Sequence, residues 1–247
     1  CQNIYICISR SSNLLTRFWL CGFVTYIYSR MFFTKGTRMK NKKIIDYTYQ
    51  QKREMIESGQ HLASFAFDED SNVRFVVAKY TKDKEIIELL SKDKNEAVRY
   101  MIALMSDNET LLSQMANDSS SFVRTAVAQS TKDTALLDYL AKDENVSVRT
   151  CVAGNSHTSY KAQAKLAFDS DVFVRVELAR NTCYENLLSQ LADDTYKSVR
   201  NRVAEQTNNP VTLHKLMTDK EEYVSAVARF RLSLLLEKTH SRNIKER

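Results

Sequence analysis

The chain has 247 residues with only 4 Gly and 1 Pro, a composition that starves a sheet protein of its turns and favours helices. Its formal charge of +6 is misplaced for a polyanion binder: residues 1–38 hold five bases and no acid, which leaves +1 for residues 39–247. The five cysteines form no CxxC pair and no disulfide framework, which excludes a zinc ribbon and a secreted knot.

Residues 1–38 read as a leader. Cys1, Cys7 and Cys21 lie there with Trp19, and the apolar run FWLCGFVTYIY (18–28) is too short to cross a bilayer. No small-residue cleavage site follows it. The expectation is that Met39 is the natural start and that residues 1–38 are upstream sequence, so no membrane is expected unless the leader is native. The rest, with Cys151 and Cys183 alone, reads as a reduced cytoplasmic protein.

Residues 39–60 carry IIDYTYQQKREMIES (44–58), an amphipathic capping helix that Gly59 ends. Beyond it one sentence is written repeatedly. Aspartate recurs at Asp68, Asp93, Asp118, Asp143, Asp169, Asp194 and Asp219, at steps of 25 residues with a single step of 26. Six residues after the first six stand Arg74, Arg99, Arg124, Arg149, Arg175 and Arg200, and in the seventh copy Ser225. Valine precedes each of these seven, and alanine follows each arginine by four. Self-similarity at a fixed short period means stacked units, none able to bury its apolar stripe alone.

Each copy resolves into two helical pieces. In SSSFVRTAVAQS, Asp118 is expected to cap a helix on which Val123 and Val127 share a face, while small Ala128 admits a neighbour. The second piece has its own expected caps at Asp83, Asn108, Asp133, Thr158 and Asn209, with Pro210 at the first helical position. Tyr184 cannot cap, so Thr182 with Glu185 is expected to form a capping box. Leu112 with Met115, Leu137 with Leu140 and Leu188 with Leu191 point inward. A 25-residue period leaves no room for two full helices, so one piece must be short and partly 3₁₀. The extra residue falls in HTSYKAQAK (157–165), where Ala162 replaces the usual first leucine. It reads as a loop insertion. Residues 229–247 read as a C-terminal capping helix with a basic tail.

The pattern Asp-x4-Val-Arg-x2-Val-Ala-x-Asn-x2-Thr-x3-Leu-Leu-x2-Leu-Ala, carried best by residues 143–158 and 169–194, resembles the bacterial variant leucine-rich repeat, a HEAT-like family, over residues 61–228. The resemblance implies an all-α fold: a right-handed solenoid, or superhelix, of alternating α and 3₁₀ helices, here of about seven 25-residue repeats. The family's Asn-Pro is replaced by Asn155-Ser156 and Asn181-Thr182. A founding member of the family carries an iron–sulfur cluster on an N-terminal cysteine-rich region. Residues 39–60 contain no cysteine, so no cofactor is carried over.

Six arginines at a fixed step suit a phosphate backbone, as in HEAT-like alkylpurine DNA glycosylases. Yet an aspartate accompanies each, which a phosphate-binding face would not supply. The expected role of Asp68, Arg74, Asp93, Arg99, Asp118, Arg124, Asp143, Arg149, Asp169, Arg175, Asp194 and Arg200 is a structural ladder, each arginine pairing with the aspartate of its own or the adjacent copy. His61, His157, His214 and His240 are scattered, and no order of nucleophile and base stands out. Positions beside the arginine are apolar early (Phe75, Val76, Tyr100, Met101) and polar late (Asn201, Arg202), a stripe that reads first as core, the alternative being a binding surface graded along the array. The expected function is a non-catalytic scaffold for a protein partner, the alternative a nucleic-acid-binding or DNA-repair array.

Overall fold

A computed structural model describes residues 46–245, with side chains to residue 237. The expectations for residues 1–38 lie outside them. Fifteen helices and no strand occur among the described residues. The first, α1 (Tyr49–Glu57), starts from a capping box in which Thr48 and Gln51 exchange hydrogen bonds, and Gly59 turns the chain at φ +81°. A single turn, α2 (Leu62–Phe65), follows.

Long and short helices then alternate: α3 (Ser71–Tyr80), α4 (Lys84–Leu90), α5 (Glu96–Met105), α6 (Glu109–Met115), α7 (Ser121–Ser130), α8 (Thr134–Leu140), α9 (Val146–Gly154), α10 (Tyr160–Leu166), α11 (Val172–Asn181), α12 (Glu185–Leu191), α13 (Lys197–Gln206) and α14 (Pro210–Leu216). The last, α15 (Glu222–Lys245), runs through the stretch expected to be a basic tail and packs against both α13 and α14. Each long helix from α3 to α15 packs on the next long helix, so the chain is an α-solenoid.

The recurring residues explain the stacking. Val73, Val98, Val123, Val148, Val174, Val199 and Val224 are all buried, as are Ala78, Ala103, Ala128, Ala153, Ala179 and Ala204. Valine fills the space between neighbouring long helices, and alanine lets their backbones approach. The short helices close the other side of this core with Leu112 and Met115, Leu137 and Leu140, and Leu188 and Leu191.

The short pieces are α-helices, not 3₁₀. Their first turns close i→i−4, as in Ile87 N–H to the Asp83 carbonyl (2.9 Å) and Leu137 N–H to that of Asp133 (3.0 Å). Their exits tighten, Asp93 N–H reaching Leu90 (3.2 Å) and Asp143 N–H reaching Leu140 (3.0 Å), and so does the start of α12, where Leu187 N–H reaches Tyr184 (3.0 Å). Seven residues suffice because a side chain caps the start. Asp133 Oδ1 accepts from the N–H groups of Ala135 (2.8 Å) and Leu136 (3.4 Å). Asp133→Ala is therefore expected to cost about 1 kcal/mol, read as a fall of roughly 2–4 °C in the melting temperature.

Three expected caps differ. The repeated aspartate lies two residues ahead of the long helix's N-cap, which is Ser120 after Asp118 and Asn145 after Asp143. The inserted residue shifts the cap of α10 from Thr158 to Ser159, which accepts from Ala162 N–H. Thr182 and Glu185 form no box: the N-cap of α12 is Tyr184, whose N–H donates to Thr182 Oγ1 (3.2 Å). Glu185 instead reaches the next copy, accepting from Thr207 Oγ1 (2.6 Å) and Asn208 N–H (2.9 Å).

The extra residue is absorbed in the turn between α9 and α10. Asn155 takes the place of the threonine or serine that ends the other long helices from α3 to α13, and its Nδ2 donates to the carbonyls of Ala128 (2.8 Å) and Thr131 (2.9 Å). Thr158 is buried with its hydroxyl on the Val152 carbonyl (2.6 Å). Gln163 stands where other copies place leucine or isoleucine and donates to the Thr158 carbonyl (3.0 Å).

Candidate functional site

Two features run the length of the array: the rows of arginine and aspartate, and the outer surface of the long helices. Every arginine of the first row reaches forward. Nε donates to Oδ2 of the next copy's aspartate at 2.6–2.7 Å and Nη2 to Oδ1 at 2.8–3.1 Å, joining Arg74 to Asp93, Arg99 to Asp118, Arg124 to Asp143, Arg149 to Asp169, Arg175 to Asp194 and Arg200 to Asp219. The same guanidinium reaches backward through Nη1 to the carbonyl of its own copy's aspartate at 2.6–2.9 Å. Each arginine thus takes a carboxylate from one copy and a carbonyl from the other, the bidentate fork that guanidinium geometry favours.

The aspartate is fixed from its own side. Its Oδ1 accepts the backbone N–H two residues on, as in Asn95 to Asp93 (2.8 Å) and Ser120 to Asp118 (2.8 Å). This bond and the arginine occupy the carboxylate, which is why it cannot cap the helix. The paired side chains are 6–14 % exposed.

Burial pulls the Asp93, Asp118, Asp143, Asp169 and Asp194 carboxyls upward, but the arginine and backbone hydrogen bonds outweigh it and all five sit below the ordinary carboxylate value. For Asp219 the Arg200 hydrogen bond is itself the largest influence, again downward. The six arginines are raised, first by the hydrogen bond to their aspartate.

The ends differ from the middle. Among the described residues Asp68 receives no guanidinium, and it pairs with Lys52 of α1 at 2.6 Å. Ser225, in the arginine position of the last copy, is buried and donates to the Glu222 carbonyl (2.9 Å). The insertion leaves its rung intact: Arg149 reaches Asp169 across 20 residues instead of 19 with the same distances.

A second tie between copies carried no signal recognised in the sequence. Glu109 accepts from Thr131 Oγ1 (2.5 Å) and Lys132 N–H (2.8 Å), as Glu185 does from Thr207 and Asn208. A glutamate opening a short helix with threonine 22 residues later is the pattern that finds it.

The apolar positions beside the early arginines belong largely to the core, as the favoured reading of that stripe expects. Val76 and Met101 are buried and Phe75 and Tyr100 half-buried, while Asn201 and Arg202 farther along are half-buried polar groups. Arg202 pairs with Glu205. Burial pushes the Tyr100 hydroxyl upward, with a smaller push from Cys151. Cys151 accepts from Gln129 Nε2 at 3.5 Å. Large apolar side chains also stand in solvent, chiefly Phe67, Phe168, Phe173, Tyr223 and Phe230. Among the described residues no His, Cys, Asp and Glu gather in a group of three fit for a metal, and no helix is long and apolar enough to cross a membrane.

Two solved structures are similar to the described array. One, a leucine-rich repeat variant with a novel repetitive structural motif, is 24 % identical with a TM-score of 0.61 and covers 76 % of this chain and 78 % of its own. The other, the YibA protein of Escherichia coli, is 15 % identical with a TM-score of 0.47, covering 80 % of this chain and 99 % of its own. No protein-family model and no curated protein matches the sequence. The first likeness shows the fold, a solenoid of the variant leucine-rich repeat type.

Proposed function

We propose that the chain is a non-catalytic scaffold that holds a protein partner in the cytoplasm. The observation that carries this reading is where chemistry has been spent. The repeated charged groups are consumed in rungs between copies, while Phe67 (74 % exposed) and Phe168 (76 %) are left in water. Aromatic side chains held out from a repeat frame are the kind of group that anchors a protein partner. A nucleic-acid role draws no support from the arginine row, since each guanidinium already holds a carboxylate.

A photo-crosslinking residue at position 168, used in the native host, tests the reading. It is expected to join one protein reproducibly. That protein, once purified, should bind the full chain in calorimetry, and Phe168→Ser should weaken binding about tenfold, as loss of an aromatic anchor does. Salt-dependent binding of mixed-sequence duplex DNA with no protein captured would replace the reading.

A further inference from the structure

The exits of the short helices meet in a contact that recurs once per copy. The residue four before the repeated aspartate reaches the residue just before the aspartate of the preceding copy. Tyr139 Oη donates to Asn117 Oδ1 (2.8 Å) in this way, and Lys215 Nζ donates to Asp193 Oδ2 (2.5 Å). Six such slots run along the described array: Leu89 on Phe67, Gln114 on Lys92, Tyr139 on Asn117, Lys165 on Lys142, Gln190 on Phe168 and Lys215 on Asp193. The extra residue of the irregular copy leaves its slot in register, because it falls in the turn before α10 and Arg149 still meets Asp169.

One filling is mismatched. Lys165 on Lys142 sets ammonium beside ammonium, and both side chains are exposed. Among the described residues neither forms an ion pair, whereas Lys92 has Glu88 at 2.5 Å. No free acid stands close by in the chain. Residues 145–168 contain none, Asp138 accepts from the Ser159 hydroxyl (2.5 Å), and Glu144 lies 3.6 Å from Arg124 Nη2. Aromatic groups bound the pair: Tyr139 stands three residues before Lys142 and Phe168 three after Lys165, 54 and 76 % exposed.

We infer that this slot takes a carboxylate from the protein partner, in the place that Asp193 takes against Lys215, while an apolar residue of the same segment covers Phe168. This rests on the scaffold reading and gives it a chemistry: the docking segment is acidic, with an aromatic or aliphatic residue beside an aspartate or glutamate. The slot of Lys215 already holds a carboxylate supplied from within, so its shape fits one. At Lys142 and Lys165 the chain supplies two donors and no acceptor, and an incoming carboxylate gains both while relieving their repulsion. A phosphate chain would need cations to continue along the file. The slots on either side offer Tyr139 with Asn117 and Gln190 with Phe168 instead.

The test starts from a random peptide library displayed on phage and selected on the full chain. Enriched peptides are expected to carry aspartate or glutamate beside an aromatic or aliphatic residue. Their binding, read by fluorescence anisotropy, should weaken about tenfold in Phe168→Ser and at least as much in Lys165→Glu, which supplies the missing carboxylate from within. Lys165→Glu should melt no lower than the parent chain, since it copies the pair of Lys215 with Asp193. Changing Lys142 and Lys165 together to Glu should transfer binding to peptides whose acids are replaced by lysine. Enriched peptides without acids, no enrichment, or binding untouched by Lys165→Glu overturns the inference. So does labelled oligothymidylate that binds the parent more tightly than these peptides and is lost from Lys165→Glu. A partner cross-linked at position 168 that holds Lys165→Glu as tightly as the parent would sink the carboxylate and leave the scaffold standing.

Discussion

Arg124→Met is expected to destabilise the solenoid by about 3–5 kcal/mol, a loss of roughly 6–20 °C in melting temperature for a domain near 200 residues. The methionine keeps most of the stem that fills the gap between α7 and α9. What it removes is the fork, which leaves the Asp143 carboxylate, 8 % exposed, without its counter-charge and the Asp118 carbonyl without its donor. An ion pair on open surface contributes little. Here neither partner can turn to water. Adding Asp143→Leu to Arg124→Met should recover part of the loss, because the orphaned charge leaves with it. Recovery stays incomplete because Asn145 N–H, which donates to Asp143, then loses its acceptor. Differential scanning calorimetry of the two variants decides the matter, and a melting curve unmoved by Arg124→Met would remove the ladder from any account of stability.

Acid should dismantle the array at one stroke. Six carboxyls are held below their ordinary value in the folded chain, so their contribution is fully present above the unfolded value of about 3.9 and is lost as pH falls through the folded ones. Each proton taken up releases an arginine as well. Far-UV circular dichroism from pH 7 to pH 2 is expected to hold its helical signal to about pH 4 and then lose it steeply, with uptake of several protons together. Loss of signal between pH 7 and pH 5 would point to other groups.

The period carried most of the fold. Valine and alanine at one phase of a 25-residue repeat, with scarce Gly and Pro, led to stacked helix pairs, and those residues fill the space between α3, α5, α7 and their successors. The one-to-one count of Asp and Arg led to pairing within or between copies. Direction was not legible: which carboxylate a guanidinium chooses depends on where the next helix starts, a three-dimensional distance that spacing along the chain leaves open. The same limit explains the caps. Asp118 is a good N-cap by residue type, but in the stack Arg99 claims both its oxygens, and the capping position passes to Ser120 two residues on. The reading of the short pieces as partly 3₁₀ came from a length argument. Seven residues with a capped start close true α turns, and the exit contracts.

Because every guanidinium of the ladder takes its carboxylate from the copy that follows and none from the one before, the array has a head and a tail. Lys52 seals the head by satisfying Asp68, and Ser225 seals the tail by offering no donor to a copy beyond. An interior unit arrives carrying one acceptor for its predecessor and one donor for its successor. Whole units can therefore be gained or lost over evolutionary time without stranding a charge, and the reach of the molecule can be lengthened or shortened by gene duplication alone.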